Sequence, residues 1–205
     1  FFNIETGALR HYKRSSTPED PSKAIMGGIQ EILSEQSIDT GEITYLAHGT
    51  TVATNALIEK KGARMGLITT EGFKDLMEIG WQRRPSLYDL RRPKPEQLIP
   101  PGMNQEVKER ILHDGSILTP LDEDSVRNAV RFLKEMGAET IAVCTLFSFI
   151  NPVHEDRIKE IIEEEYPGVY VSASHDLVAE FREYSRMSTT ILNLSLIHIS
   201  EPTRP

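Results

Sequence analysis

The sequence predicts an α/β fold with βα units on a mixed, mostly parallel sheet, and three observations predict it. Strand-like and helix-like segments alternate between residues 42 and 80, an order that favours parallel pairing. The alternation resumes after residue 122 and continues to residue 193. With 205 residues, the chain is long enough for one good-sized domain, or two small ones, with a core of its own.

Each element has a local reason. "FFNIETGALRHYKRSS" reads as two β-like runs around a Glu-Thr-Gly turn. Asp20-Pro21 is an N-cap followed by proline at N1, and Ile25, Gly28, Ile29, Ile32 and Leu33 follow at helical spacing. Gly27-Gly28 suggests that this helix packs closely on a sheet. "EITYLAHG" reads as a strand. "TVATNALIEKK" reads as a helix, with Lys60 and Lys61 in its last turn and Gly62 as its C′ residue. "ARMGLITT" is the next strand and "EGFKDLMEIG" a short helix. Residues 81–105 hold five prolines and five basic residues and read as an extended segment.

"EVKERILHDGSILTPL" follows as a hairpin around Asp114-Gly115, with His113 a surface turn residue. Asp122 caps a helix with Val126, Ala129, Val130, Leu133 and Met136 on one face. "TIAVCTLFSF" is a strand in which Cys144 reads as a buried, inert thiol. Asn151-Pro152 opens a helix with Ile158, Ile161, Ile162 and Tyr166 inward and the acidic run 163–165 on a solvated face. "VYVSASH" is a strand, and "EFREYSRMSTTILN" begins a last helix.

Composition excludes some classes. The net charge of −8 argues against a nucleic-acid binder, which needs a basic stripe. A single cysteine permits no internal disulfide and fits a reducing compartment. No stretch is long enough to span a membrane.

Three stretches carry chemistry. In "HGTT", Gly49 lets a backbone approach a ligand closely, and Thr50 and Thr51 place hydroxyls at a helix N-terminus. His48 can donate or accept a hydrogen bond, and Asn55 stands one turn further on. A threonine-capped helix with a packed histidine accounts for the same residues. In "WQRRPSLYDLRR", Arg83, Arg84, Arg91 and Arg92 suit bidentate contact with a carboxylate or phosphate, with Trp81 and Tyr88 to frame a flat substrate. Basic residues that neutralise an acidic neighbour fit equally well. In "SHDLVAEFREYSR", the spacing puts Arg182 and Arg186 on one helix face and lets Glu183 pair with Arg186, so a surface salt-bridge lattice fits Glu180, Arg182, Glu183 and Arg186 as well as a ligand-binding face does.

Taken together with "STPEDPSKAI", these stretches resemble the N-terminal region of the hydantoinase/oxoprolinase family, the hydantoinase A type subunit of its ATP-dependent members. They are also similar to the matching subunit of acetone-type carboxylases. The likeness spans essentially residues 1–193, and the block at 48–80 is its most specific part. The resemblance implies an actin-like, ribonuclease-H-like ATPase fold, with ATP and Mg²⁺ as cofactors, a hydantoinase B type subunit as partner, and a cytoplasmic setting. It implies an enzyme that opens a cyclic amide, of the hydantoin or 5-oxoproline class, by phosphorylating its carbonyl. An ATP-dependent ketone carboxylase of the acetone carboxylase type is the alternative chemistry. A non-catalytic scaffold that docks a partner subunit is the alternative of another class.

For the residues, the resemblance implies catalytic roles for His48, Thr50, Thr51 and Asn55 and a cofactor contact at Gly49. It implies substrate contacts from Arg83, Arg84, Glu180, Arg182, Glu183 and Arg186. Ser185 and Met187 depart from the family's usual glutamate and threonine. The family's Asp-Gly-Gly-Thr phosphate loop would precede Phe1, and the second half of the nucleotide cleft would follow Asn193. The chain is therefore expected to be a fragment, open at both ends and inactive alone. The last stretch, "LSLIHISEPTRP" at 194–205, resembles the conceptual translation of a sequencing adapter read in frame. It is set aside as non-native and is expected to pack poorly.

Overall fold

Four parallel strands, in the spatial order β2 (Asn104–Val107), β1 (Met65–Thr70), β5 (Thr140–Cys144) and β6 (Tyr170–Ala173), form the sheet on which most of the chain is built. The computed structural model describes residues 2–4, 6–17, 20–47, 49, 55, 62–82, 86, 88–89, 91–94 and 97–200. The chain divides into two compact units, residues 1–49 and 50–205.

In the first unit, the expected hairpin reduces to a single antiparallel bridge between Phe2 and Leu9, turned at Gly7 (φ 70°). Helix α1 (Pro21–Gln36) starts as expected: the Asp20 carboxylate accepts from Ser22 N at 3.1 Å, with Pro21 behind it. Leu33 is buried and Ile25, Ile29 and Ile32 are half-buried. The glycine pair does not face a sheet. A Cβ at Gly27 would run into the Arg14 guanidinium, which lies along the helix and pairs with Glu31 at 2.7 Å. The expected strand "EITYLAHG" is not one over its described residues. Residues 43–47 have no ladder partner among the described residues, and Tyr45 and Leu46 are 82% and 67% exposed. Apolar content alone does not make a strand; pairing does.

In the second unit, β1 (Met65–Thr70) and β5 (Thr140–Cys144) are buried at every residue, as parallel strands covered on both faces are. They pair in register from Met65 with Thr140 to Thr69 with Cys144. Gly66 in β1 allows close packing: a Cβ there would lie 2.7 Å from Leu133 Cδ2. Burial pushes the Cys144 thiol up to about 11, which keeps it inert. Helix α2 (Leu76–Ile79) follows β1.

The extended segment hides an edge strand. β2 (Asn104–Val107) pairs in parallel with β1, whereas the sequence placed its residues in the loop and in the first arm of the hairpin. The hairpin itself is shorter, β3 (Arg110–Ile111) with β4 (Ile117–Thr119), turned at Gly115 (φ 82°). His113 is exposed, as expected.

Helix α3 (Glu123–Glu135) is capped by Asp122, which accepts from Asp124 N (3.1 Å) and Ser125 N (3.2 Å), and buries Val126, Ala129, Val130 and Leu133. Met136 stands at the C-cap and is exposed, because the helix ends before it returns to the inner face. Helix α4 (Val153–Glu165) buries Ile158, Ile161 and Ile162 and packs on α3. β6 (Tyr170–Ala173), the short α5 (Ser174–Leu177) and α6 (Glu183–Ser200) complete the unit. The last helix runs past Asn193. Leu194 is fully buried in the core and Ser195 nearly so, contrary to the expected poor packing at these two positions. Among the described residues no helix is long and apolar enough to cross a membrane.

Candidate functional site

Parallel sheets bind ligands at the carboxyl ends of their strands, and here that edge holds two buried carboxylates. Glu155, in the first turn of α4, is fully buried. Its Oε1 accepts from Thr145 N (2.8 Å) and Ser174 Oγ (2.7 Å); its Oε2 accepts from His175 N (3.1 Å) and lies 2.7 Å from His175 Nδ1. Glu109 lies 2.7 Å from His154 Nδ1 and accepts from the Thr70 hydroxyl. Thr70 Oγ1 in turn accepts from Leu146 N at 3.0 Å. The two acids thus fix successive N–H groups of the turn that leaves β5. Phe147, at the heart of that turn, is left-handed (φ 55°).

The side chain that unites this edge is Arg186, fully buried in α6. Its Nε donates to Ser174 Oγ (2.9 Å), Nη2 to Thr145 O (2.6 Å) and Nη1 to Glu180 O (3.2 Å), and its Cζ lies 5.2 Å from the Phe149 ring centroid. Ser174 therefore accepts from Arg186 and donates to Glu155, which joins the two buried charges through one hydroxyl. On the outer side His175 Nε2 lies 3.2 Å from both Asp156 and Asp176, and Asp176 pairs with Lys159 at 2.6 Å. The Glu155 hydrogen bond, with the nearby aspartates, holds the His175 pKa above the ordinary histidine value against the opposing effect of burial.

Arg186 also grips the chain segment before α6 from two directions. Its side chain holds Glu180 O, and its backbone N–H donates to Arg182 O at 3.2 Å. Between them Phe181 is exposed and meets Phe149 edge-on at 6.3 Å. Arg182 is left-handed (φ 85°), and its guanidinium lies 5.6 Å from the Trp81 ring centroid. Trp81 meets Tyr184 at 5.4 Å and 75°. Gln82, beside Trp81, is left-handed too (φ 56°). Of the four non-glycine residues with positive φ among the described residues, three stand at this corner, and such strain concentrates at working sites. A groove of about 1410 Å³ runs alongside, walled by Trp81, Tyr184, Met77, Leu98, Ile191 and Leu192.

The structure thus brings together two of the three sequence motifs, through Trp81 and Arg182, but not as the helix spacing suggested. Arg182 precedes α6 and does not share a helix face with Arg186. Arg186 does not pair with Glu183 and is no surface residue. Glu180 is exposed, and only its backbone carbonyl is engaged. Gly49 is exposed with open space around it, and Asn55 is helical and exposed. His48, Thr50, Thr51, Arg83 and Arg84 lie outside the described residues. Sequence reasoning missed Glu155, Ser174, His175, Glu109 and His154. The available signal was "HED" at 154–156, charged residues packed into the first turn of a helix that opens with Asn-Pro.

The fit to ATP and Mg²⁺ can be tested on the described residues. No three of their His, Cys, Asp or Glu side chains are placed to hold a metal ion together, and the space at Gly49 is not a cradle.

A family model described as the hydantoinase/oxoprolinase N-terminal region matches residues 1–166. The chain is 35% identical over 196 residues to caprolactamase subunit alpha of Pseudomonas jessenii, covering 93% of this chain and 28% of that protein. The crystal structure of the ATP-dependent caprolactamase from that organism superposes with a TM-score of 0.84 at 33% identity, over 97% of this chain and 30% of the other. Acetophenone carboxylase gamma subunit of Aromatoleum aromaticum is 35% identical over 213 residues, covering 95% of this chain and 29% of its own length. A nucleotide-free acetone carboxylase structure superposes with a TM-score of 0.80 at 28% identity, over 93% of this chain and 29% of the other. The chain spans less than a third of the length of each of these relatives.

Proposed function

We propose, from the premise that this chain belongs to the hydantoinase/oxoprolinase family, that it serves in an ATP-dependent enzyme subunit acting on the carbonyl group of a small substrate. Its α/β fold, with a mostly parallel sheet, is that of the N-terminal region of actin-like ATPases. The observation that carries the proposal is the likeness, over more than nine-tenths of the chain, to proteins named as ketone carboxylases and as a caprolactamase.

Two of the three named relatives are ketone carboxylases, which supports ketone carboxylation ahead of the opening of a cyclic amide. Caprolactam is itself a cyclic amide, so lactam hydrolysis is the second reading, favoured by the caprolactamase superposition. The names "subunit alpha" and "gamma subunit" support a partner subunit, without favouring a hydantoinase B type over another.

In this reading Arg182 and Glu180 face the substrate, and Arg83 and Arg84 contribute to its binding. Arg186 acts from within, by holding that segment. His48, Thr50, Thr51 and Asn55 take the catalytic roles in this reading. The ordering of charged groups before reaction is what such a site contributes to rate.

The test is ATP hydrolysis by the complete subunit with its partner. Acetone or acetophenone with bicarbonate is offered on one side, and caprolactam, hydantoin or 5-oxoproline on the other. Hydrolysis stimulated by ketone and bicarbonate supports carboxylation. Stimulation by a cyclic amide alone transfers the assignment to the second reading, and stimulation by none of them overturns both.

A further inference from the structure

Like Arg110, which lies over the Phe73 ring at 5.3 Å, Arg182 presents its guanidinium to an aromatic face. Among the described residues its guanidinium makes no hydrogen bond and no ion pair; its contact is the Trp81 ring. Arg127, Arg131 and Arg157 each engage at least one carboxylate. Two lysines on the rim of the neighbouring groove are paired, Lys94 with Glu78 at 3.6 Å and Lys74 with Glu106 at 3.9 Å. A guanidinium laid on an aromatic face keeps its N–H edge free, and that edge fits a planar oxyanion by two parallel hydrogen bonds.

The surroundings impose this posture. A side chain at φ 85° persists only where other contacts outweigh its strain. Here Arg186 holds Glu180 O on one side and Arg182 O on the other, and is itself held by Ser174 and, through it, by Glu155. All three of these relay residues are fully buried.

We propose that Trp81 and Arg182 form a carboxylate-binding subsite. A planar carboxylate docks on the Arg182 edge, its apolar body entering the groove walled by Trp81 and Tyr184, while the Glu155–Ser174–Arg186 relay positions Arg182. The inference rests on the reading of a small carbonyl substrate and adds to it a carboxylate as the second recognised group. Arg182 is the binding residue; Arg186, Ser174 and Glu155 are positioning residues that touch no ligand.

Trp81 is the only tryptophan in the chain, so its emission reports the subsite without nucleotide or turnover. The 205-residue chain is titrated with benzoate, and with benzamide as the neutral match of similar shape. A saturable change in Trp81 emission with benzoate, absent with benzamide, is expected. R182Q, at an exposed position, should lower the apparent affinity by about ten-fold or more, the loss of a charge-assisted pair of bonds. R186K keeps the charge but not the planar fork, and S174A removes the shared hydroxyl. Both should weaken benzoate several-fold with Arg182 untouched, and circular dichroism verifies that each remains folded.

An equal response in wild type and R182Q, an equal response to benzamide, or no response at all overturns the subsite. Unchanged affinity in whichever of R186K and S174A remains folded overturns the relay's part. Absence of a benzoate response in the wild-type chain, with ATP-coupled turnover of the complete subunit present, sinks this inference and spares the proposed reaction; a benzoate response that R182Q abolishes, without such turnover, does the opposite.

Discussion

Arginine is used in two contrasting ways in the second unit. Between α3 and α4 it forms a surface lattice: Arg127 with Glu164 and Glu165, Arg131 with Glu165, and Arg157 with Glu123, Glu160 and Glu164. The hydrogen bonds from Arg157 and Arg127 hold Glu123 and Glu164 below the usual carboxylate range. At the sheet's carboxyl edge, by contrast, Arg186 stands alone. It touches no carboxylate directly and spends its donors on two backbone carbonyls and a hydroxyl. The lattice is solvated and screened, whereas Arg186 has no water to fall back on. The difference teaches that counting ion pairs misjudges where order resides. One buried guanidinium fixes two loops and a strand end, while the lattice merely fastens two helices already joined by their apolar faces.

The strongest test of this contrast is R186M. It leaves Thr145 O, Glu180 O and Ser174 without their donor and removes the cation behind Glu155. Breaking a buried charged network in this way costs about 3–5 kcal/mol, measurable by urea unfolding. A loss well below that range would erase the distinction between the two settings.

His175 sharpens it through pH. Its folded pKa is raised, so its contribution is complete below the unfolded value of about 6.5 and is lost as pH rises through the folded value. The urea midpoint of wild type should exceed that of H175Q at about pH 6, and the gap should narrow towards about pH 9. A gap that widens with pH would show that His175 is held neutral, and that the aspartates do not face an imidazolium.

R157Q is the smallest expected effect. At physiological salt it should leave the melting temperature almost unmoved, with a visible decrease only at low ionic strength. A salt-independent loss approaching that of R186M would place the lattice and the buried arginine on the same footing.

The sequence foretold what local chemistry decides. Asp20 and Asp122 cap their helices, Asp114-Gly115 turns a hairpin, and "TIAVC" is a buried strand. It failed where the outcome depends on a distant partner. "EITYLAHG" has strand composition but no neighbour to pair with among the described residues, and the last two residues of the proline-rich stretch, with the first two of the expected hairpin, became β2 because β1 offered them an edge. The site followed the same division. Helical spacing placed Arg186 on a face, but whether that face is wet depends on Thr145, Ser174 and Glu155, which come from three other elements. A buried arginine and a surface arginine look identical in one dimension.

Three positions at the candidate site, Gln82, Phe147 and Arg182, hold a backbone shape that glycine adopts freely and that L side chains resist. Glycine at any of the three would relax the chain and raise its heat tolerance. It would also strip away the ring or guanidinium presented there, or loosen the loop that carries Trp81. A laboratory evolution campaign that selects only for survival at high temperature should therefore drift first at this corner and erode recognition as it does so. A campaign that selects for heat tolerance and turnover together should leave the three residues alone and collect its gains elsewhere.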